Sequence, residues 1–407
     1  MKTIILSFIM VSSVYAAEKS NSYSLNSFIQ KALDTSFSIR QDSTQLAIEK
    51  SKISQSTLWK NPTLEMEFDE GLDNSMEYTY MEFSQKLPAW GENSSKKRAA
   101  QFELENKMHI KDRTMLQVQY QSASLFQELY SLKKQLAILD QQLKQTKRLQ
   151  EKTISRESSG DISGLERSRI DIMRQQIVMK KQNLKNKYFE MQFKAQALLN
   201  VNSEISLLGN SFKTRKYSLD KLLELLELSP AYRQHKAKVQ VAEEELALTR
   251  ATRYGSPELY VYSKRELNLN NNMDDINGLG FRISVPLWNR NDSQIEIQNI
   301  KVQKNNIKAE ETLYKLQQNV RSYYNLYNNA SRQLSAYKNN LLKPSKKYYE
   351  ISTVSFELGE KSLLELLDAQ TLYFQNQLEY QALVSQYNYY WLQLSNAASI
   401  DLLKDNK

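Results

Sequence analysis

The chain has 407 residues, 25% charged and 10% aromatic, with nine glycines, six prolines and no cysteine. Scarce glycine and proline favour long helices over a sheet-rich or disordered chain, and the lack of cysteine excludes disulfides, thiolate metal sites and an N-terminal lipidated cysteine. A formal charge of +9 is modest for this length and fits solubility and interfacial charge rather than nucleic-acid binding.

Residues 1–16 read as a signal peptide outside the fold. Lys2 supplies a positive start, Ile4 to Val11 an apolar stretch, and Val14-Tyr15-Ala16 a small-x-small cleavage site, so the mature chain is expected from Ala17. No later run of about 18 apolar residues occurs, so no membrane-spanning helix is expected.

Next come a short amphipathic helix, Tyr23 to Ala32 with Phe28, Ile29 and Ala32 on its apolar face, and a longer one over about Ser36 to Trp59. The same plan recurs at Tyr217 to Leu226 and Pro230 to Tyr254, and Tyr-Ser-Leu opens both versions. Each longer helix then meets a proline and the period changes. After Asn61-Pro62, Leu64, Met66 and Phe68 alternate with Glu65, Glu67 and Asp69, a strand with one apolar and one acidic face. Gly71 to Ser75 reads as a turn and Met76 to Leu87 as the return strand, with a phase slip near Tyr80–Met81 that reads as a bulge. In the second copy a strand runs from Ser256-Pro257 to about Leu269, and Asn270 to Gly278 reads as a loop. Leu279, Phe281, Ile283, Val285 and Leu287 then alternate as the return strand. The hairpins thus span about 62–87 and 257–287, and they end alike in Leu87-Pro-Ala-Trp90 and Val285-Pro-Leu-Trp288.

Long helical hairpins follow each pair of strands. Met115, Val118, Ser122, Leu125, Leu129 and Leu132 step by three and four, as do Leu313, Leu316, Val320, Tyr323, Tyr327 and Ala330. The return helices carry heptad ladders (Ile170, Ile177, Leu184, Met191, Leu198, and Leu366, Tyr373, Tyr380, Tyr387, Leu394), which predict coiled-coil packing of antiparallel helices. Pro344 is expected to kink its helix. The hairpin tips, about 157–166 and 356–365, share one grammar: Gly160 with Ser163 and Glu166, and Gly359 with Ser362 and Glu365. In each, a glycine suited to the left-handed C′ position precedes an S-x-x-E capping box. The chain therefore divides into a signal peptide (1–16), a first repeat (17–210) and a second repeat (211–407).

Four amphipathic strands cannot close a barrel, because the smallest need about eight. Such a chain must pool its strands with other copies or leave edges exposed. Amphipathic strands with aromatic residues near their ends (Tyr78, Tyr80, Trp90, Tyr260, Tyr262, Trp288) fit an outer-membrane barrel. The alternative is a soluble periplasmic coiled-coil scaffold or adaptor.

Across essentially the whole mature chain the sequence resembles the TolC-type outer-membrane efflux proteins. The resemblance rests on Phe356-x-x-Gly359 with Leu-Leu-Asp368-Ala-Gln370, on the Asn61-Pro62 and Ser256-Pro257 strand openings, and on Val285-Pro-Leu-Trp-Asn-Arg-Asn291, all within a twofold repeat. It implies a mainly α fold in which internally duplicated helical hairpins form a periplasmic α-barrel. It implies, too, that four strands from each chain of a homotrimer make a twelve-stranded β-barrel in outer-membrane lipid. It implies a passive exit duct docked to a periplasmic adaptor (membrane fusion) protein and an inner-membrane pump of the RND type. The 285–291 segment looks most like the branch serving heavy-metal cation pumps, and a type I protein secretion duct is an alternative of the same architecture.

The resemblance also implies site residues. Glu365 and Asp368, one turn apart, match the acidic positions that ring the family's periplasmic aperture. Lys361 and Glu166 match a polar latch between neighbouring tips, and Phe356 stands where the family often has tyrosine, without the hydroxyl. Glu65, Glu67 and Asp69 are expected to face the barrel lumen, with Leu64, Met66 and Phe68 facing lipid. Catalytic, cofactor and metal sites are not expected: His109 and His235 are the only histidines, no HExxH occurs, and Gly278-Leu-Gly280 reads as a strand start rather than a phosphate loop.

Overall fold

The computed structural model describes residues 21–70, 76–158, 163–209, 217–267 and 272–405. The expected signal peptide, the turn at Gly71 to Ser75, the first tip glycine Gly160 and Asn270 lie outside the described residues.

The chain begins with β1 (Asn21–Tyr23) and α1 (Leu25–Thr35), and α1 buries Phe28, Ile29 and Ala32 completely. The Phe28 ring meets Phe126 edge-on, with centroids 5.6 Å apart. Helix α2 (Phe37–Ser56) is capped by Ser36, whose hydroxyl accepts from the Ile39 amide. Strands β2 (Thr63–Glu70) and β3 (Met76–Lys86) lead to α3 (Glu92–Ser158) and α4 (Gly164–Leu199). The second pass has β4 (Ile205–Leu207), α5 (Leu219–Glu224) and α6 (Pro230–Ala251), then β5 (Glu258–Leu267) and β6 (Met273–Arg282). Helices α7 (Asp292–Tyr337), α8 (Lys343–Glu357), α9 (Leu363–Ala397) and the short α10 (Leu402–Asp405) complete it.

Strand β1 pairs in parallel with β4, a contact that no sequence period announced because each strand has three residues. The other four strands form one antiparallel sheet in the order β2-β3-β5-β6, so β3 and β5 join the hairpins of the two repeats and β2 and β6 are its edges.

Three expectations need correction. Strand β3 carries no bulge at Tyr80–Met81: its register with β2 is continuous there and shifts only between Asp69 and Glu70. Strand β6 begins at Met273, inside the stretch read as a loop, because Asp274, Asp275 and Asn277 pair across to Glu266, Arg265 and Ser263. The Arg265 guanidinium holds Asp275 at 2.6 and 3.0 Å, giving that acid a partner on the strand. Gly278-Leu-Gly280 therefore lies within the strand, and pairing ends at Arg282 rather than near Leu287. Beyond it Pro286 has no N–H to give a ladder.

Pro344 acts as a local adjustment. A π-helical turn, Lys338–Leu342, widens the helix just before it, which accommodates a ring that would otherwise collide with the carbonyl four residues back.

By contacts the chain forms two compact units, each drawn from both halves of the sequence. One takes residues through Thr35, Ser122–Phe212 and Ser345–Gln381; the other takes Ser36–Gln121, Lys213–Pro344 and the residues from Ala382 on. The first unit contains the helix ends of both tips, and the second contains the four-stranded sheet.

Candidate functional site

The sheet separates its side chains by chemistry. Cross-strand register puts Leu64 beside Phe83, Val261 and Leu279, and Met66 beside Met81. That face is open along its length; Leu64, Phe68, Phe83, Val261 and Phe281 are each about half exposed or more, and Leu279 is 86% exposed. The opposite face carries Glu65, Glu67 and Asp69 of β2 in register with Glu82, Tyr80 and Tyr78 of β3. It continues with Tyr262, Lys264 and Glu266 of β5. Glu82 is 2% exposed and accepts from Arg282, which also holds Glu258 at 3.0 Å.

Four of the six aromatic residues near the strand ends are on the acidic face. Tyr78, Tyr80, Tyr262 and Tyr260 form a run of rings there, with centroids 6.4, 6.0 and 6.3 Å apart. The two tryptophans that follow the strands are open: Trp90 is 99% and Trp288 94% exposed. An open apolar sheet face with tryptophans at its border has the pattern of a lipid-facing barrel wall.

The tips are built by local hydrogen bonding. At the first, the Glu166 amide donates to the Ser163 hydroxyl, and the Ser163 amide donates to the Glu166 carboxylate at 3.0 Å, a full capping box. At the second, Gly359 has φ +81°, the Glu360 amide donates to the Ser355 carbonyl and the Gly359 amide to the Phe356 carbonyl. This Schellman closure requires a left-handed residue, which glycine adopts without a Cβ clash. Ser362 and Glu365 then repeat the capping box. The Ser362 amide and hydroxyl, with Lys361 nearby, hold the Glu365 carboxyl below its ordinary range.

Beyond the cap, α9 shows an exposed stripe at Glu365, Asp368, Leu372, Gln375 and Glu379, spaced by three and four and so on one face. Its three carboxylates have no Lys, Arg or His on the same helix. Lys361 is engaged locally: its ammonium lies 4.0 Å from Glu365 and 5.3 Å from the Tyr348 ring centroid. Glu166 is engaged within its own cap, accepting from the Ser163 amide and hydroxyl.

Phe356 is placed inside the tip rather than on its surface. It is 4% exposed, in a cluster with Leu149, Ile170, Leu363, Leu366 and Leu367, and the Arg156 guanidinium lies 4.8 Å from its ring centroid. It acts as a packing residue that joins the ends of α3, α4, α8 and α9. The tip also uses residues that sequence reasoning missed. Lys152 bonds Glu357 at 2.6 Å and holds that carboxyl below its usual range. Gln370 reaches Thr146 at 3.0 Å, and the Tyr349 hydroxyl reaches Gln145 at 2.7 Å. These partners stand more than 200 residues apart in sequence, and no local pattern could have paired them. Among the described residues no cluster of His, Cys, Asp and Glu could hold a metal ion.

Residues 222–399 match the family model described as outer membrane efflux protein. No curated protein matches the sequence. Among solved structures the fold is similar to that of CusC, whose structures concern folding and transmembrane channel formation (15% identity, 92% of this chain and 91% of that chain, TM-score 0.78). It is also similar to the outer membrane protein VceC of Vibrio cholerae (16% identity, 92% and 95%, TM-score 0.74). A third likeness is to the open state of the Neisseria gonorrhoeae MtrE outer membrane channel (13% identity, 92% and 88%, TM-score 0.71). The later part of the chain thus matches the sequence pattern of outer membrane efflux proteins, and the fold as a whole is similar to that of these outer-membrane channels.

Proposed function

We propose that this protein is the outer-membrane exit duct of a tripartite efflux system, a passive channel for cargo delivered by an inner-membrane pump through a periplasmic adaptor. The observation that carries the reading is the four-stranded sheet with one open apolar face, one acidic face and two edge strands. Alone it would expose both apolar surface and unpaired backbone. Three copies, each giving four strands, close a barrel of twelve with the apolar face toward lipid and Glu65, Glu67 and Asp69 toward the lumen.

In this reading the α9 stripe turns inward at the periplasmic aperture. Rings of Glu365 and Asp368 concentrate negative potential there and favour cations, while Lys361 and Glu166 of neighbouring tips hold the closed state. The carboxylates of α9, which lack a cationic neighbour on that helix, together with the 285–291 segment, favour cations as cargo and an RND-type pump as partner. A soluble scaffold would need the apolar sheet face covered from within the chain, yet it is open.

The chain has no cysteine, so single introduced cysteines report cleanly. A membrane-impermeant thiol reagent is expected to label Glu65→Cys, Glu67→Cys and Asp69→Cys, while Leu64→Cys, Met66→Cys and Phe68→Cys stay protected in intact membranes. The opposite pattern, or recovery of the protein only in the soluble periplasm, would refute the duct.

A further inference from the structure

Two glycines lie on the acidic face of an edge strand: Gly278 is in register with Tyr262, and Gly280 with Tyr260. Side chains on a sheet ordinarily stand roughly perpendicular to it. These two tyrosines do not. A Cβ built on Gly278 would overlap Cε1, Cζ and Oη of the Tyr262 ring, and one on Gly280 would overlap the same three atoms of Tyr260. The far end of each ring therefore rests on the backbone of β6, in space that only glycine leaves free. The Arg282 guanidinium, 4.7 Å from the Tyr260 ring centroid and bonded to Glu258 and Glu82, closes over that ring.

We propose that Gly278 and Gly280 set the calibre of the barrel bore by letting the Tyr262 and Tyr260 rings lie flat on its wall. The inference rests on the acidic face being the lumen. Aromatic rings covering glycines in this way also pin strand register, so the pairs fix both the wall and the opening it encloses. A methyl group at either glycine removes the ring's seat. The ring must then lift toward the perpendicular rotamer, which points into the channel, and threefold repetition places six lifted rings around the bore. The feature is a determinant of cargo size, distinct from the charge selection assigned to the tip.

The test uses the cysteine-free chain with one introduced thiol, Lys86→Cys. Lys86 is exposed and sits one row beyond the Tyr260–Gly280 pair, in register with Glu258. Maleimide-polyethylene glycols of increasing size are added to intact cells, so that the reagent enters only through the barrel. In the Lys86→Cys background, Gly278→Ala/Gly280→Ala is expected to lower the largest reagent that labels. Adding Tyr260→Ala/Tyr262→Ala should restore it, and the tyrosine pair alone should leave it unchanged. An equal cut-off with and without the glycine substitutions overturns the proposal. So does a clear rise from the tyrosine substitutions alone, which would mean that the rings already stand in the bore. That last variant keeps the test decisive if the glycine variants do not assemble. Failure of even the smallest reagent to label Lys86→Cys would instead remove the duct reading itself.

Discussion

Phe356→Ala should loosen the second tip without touching the aperture directly. The ring is 4% exposed and packed among Leu149, Ile170, Leu363, Leu366 and Leu367. Truncating a buried phenylalanine to alanine costs about 3–5 kcal/mol, from lost transfer energy and the cavity left behind. The Arg156 guanidinium loses its aromatic partner as well, about 0.5–1 kcal/mol at a site of this kind. If the tip opens as a local unit, with each 1.4 kcal/mol worth about tenfold, the two costs together should accelerate amide exchange across the α8–α9 junction by about 300-fold to about 20,000-fold. Hydrogen–deuterium exchange of peptides covering residues 352–366, in the purified protein in detergent, reads this directly. Glu360→Ala, an exposed turn position, is the control and should stay within about 0.5 kcal/mol. Unchanged protection in Phe356→Ala, or an equal effect from Glu360→Ala, would refute the assignment of Phe356 to the core. Altered conductance with intact protection would return it to the gate.

Three further outcomes follow from the tip. Lys361→Ala should raise single-channel conductance in a planar bilayer; one exposed pair contributes about 0–1 kcal/mol, so three together bias the open state by up to about 100-fold, and an unchanged trace removes the latch. Lys361 is the better partner to mutate, because Glu166→Ala also removes a capping box. Asp368→Asn should lower the preference for cations, read as a reversal potential moving toward zero across a salt gradient, whereas Glu360→Ala should leave it in place. The Glu365 carboxyl is held below its ordinary value of 4.5 by Ser362 and Lys361, so its contribution to the tip is complete above that pH and disappears as pH falls through the lower folded value. Exchange at the start of α9, corrected for intrinsic rates, should therefore rise with acidification in the wild type. Glu365→Gln, which still caps but does not titrate, should flatten that dependence.

How much of this was legible in the sequence follows the range of the forces involved. The tips were readable because a capping box and a Schellman turn are satisfied within a few residues: Gly359, Ser362 and Glu365 behave as their spacing dictates. The two faces of β2 were readable for the same reason, since alternation along one strand needs no partner. Aromatic character alone does not say which face of the sheet Tyr78, Tyr80, Tyr260 and Tyr262 occupy. Register with the neighbouring strands decided that. The extra length of β6 was hidden in the same way, because Asp275 suits a strand only when Arg265 stands opposite.

The sequence by itself therefore determined the long helices, their caps and the amphipathic strands, all set by neighbours within about one turn or one pleat. Only the tertiary structure decided that β3 joins β5, that Phe356 is a core residue, that Lys152 meets Glu357, and that Gly278 and Gly280 seat two tyrosine rings. Each of these depends on chain segments brought together from far apart in sequence, and periodicity within one segment carries no record of what will pack against it.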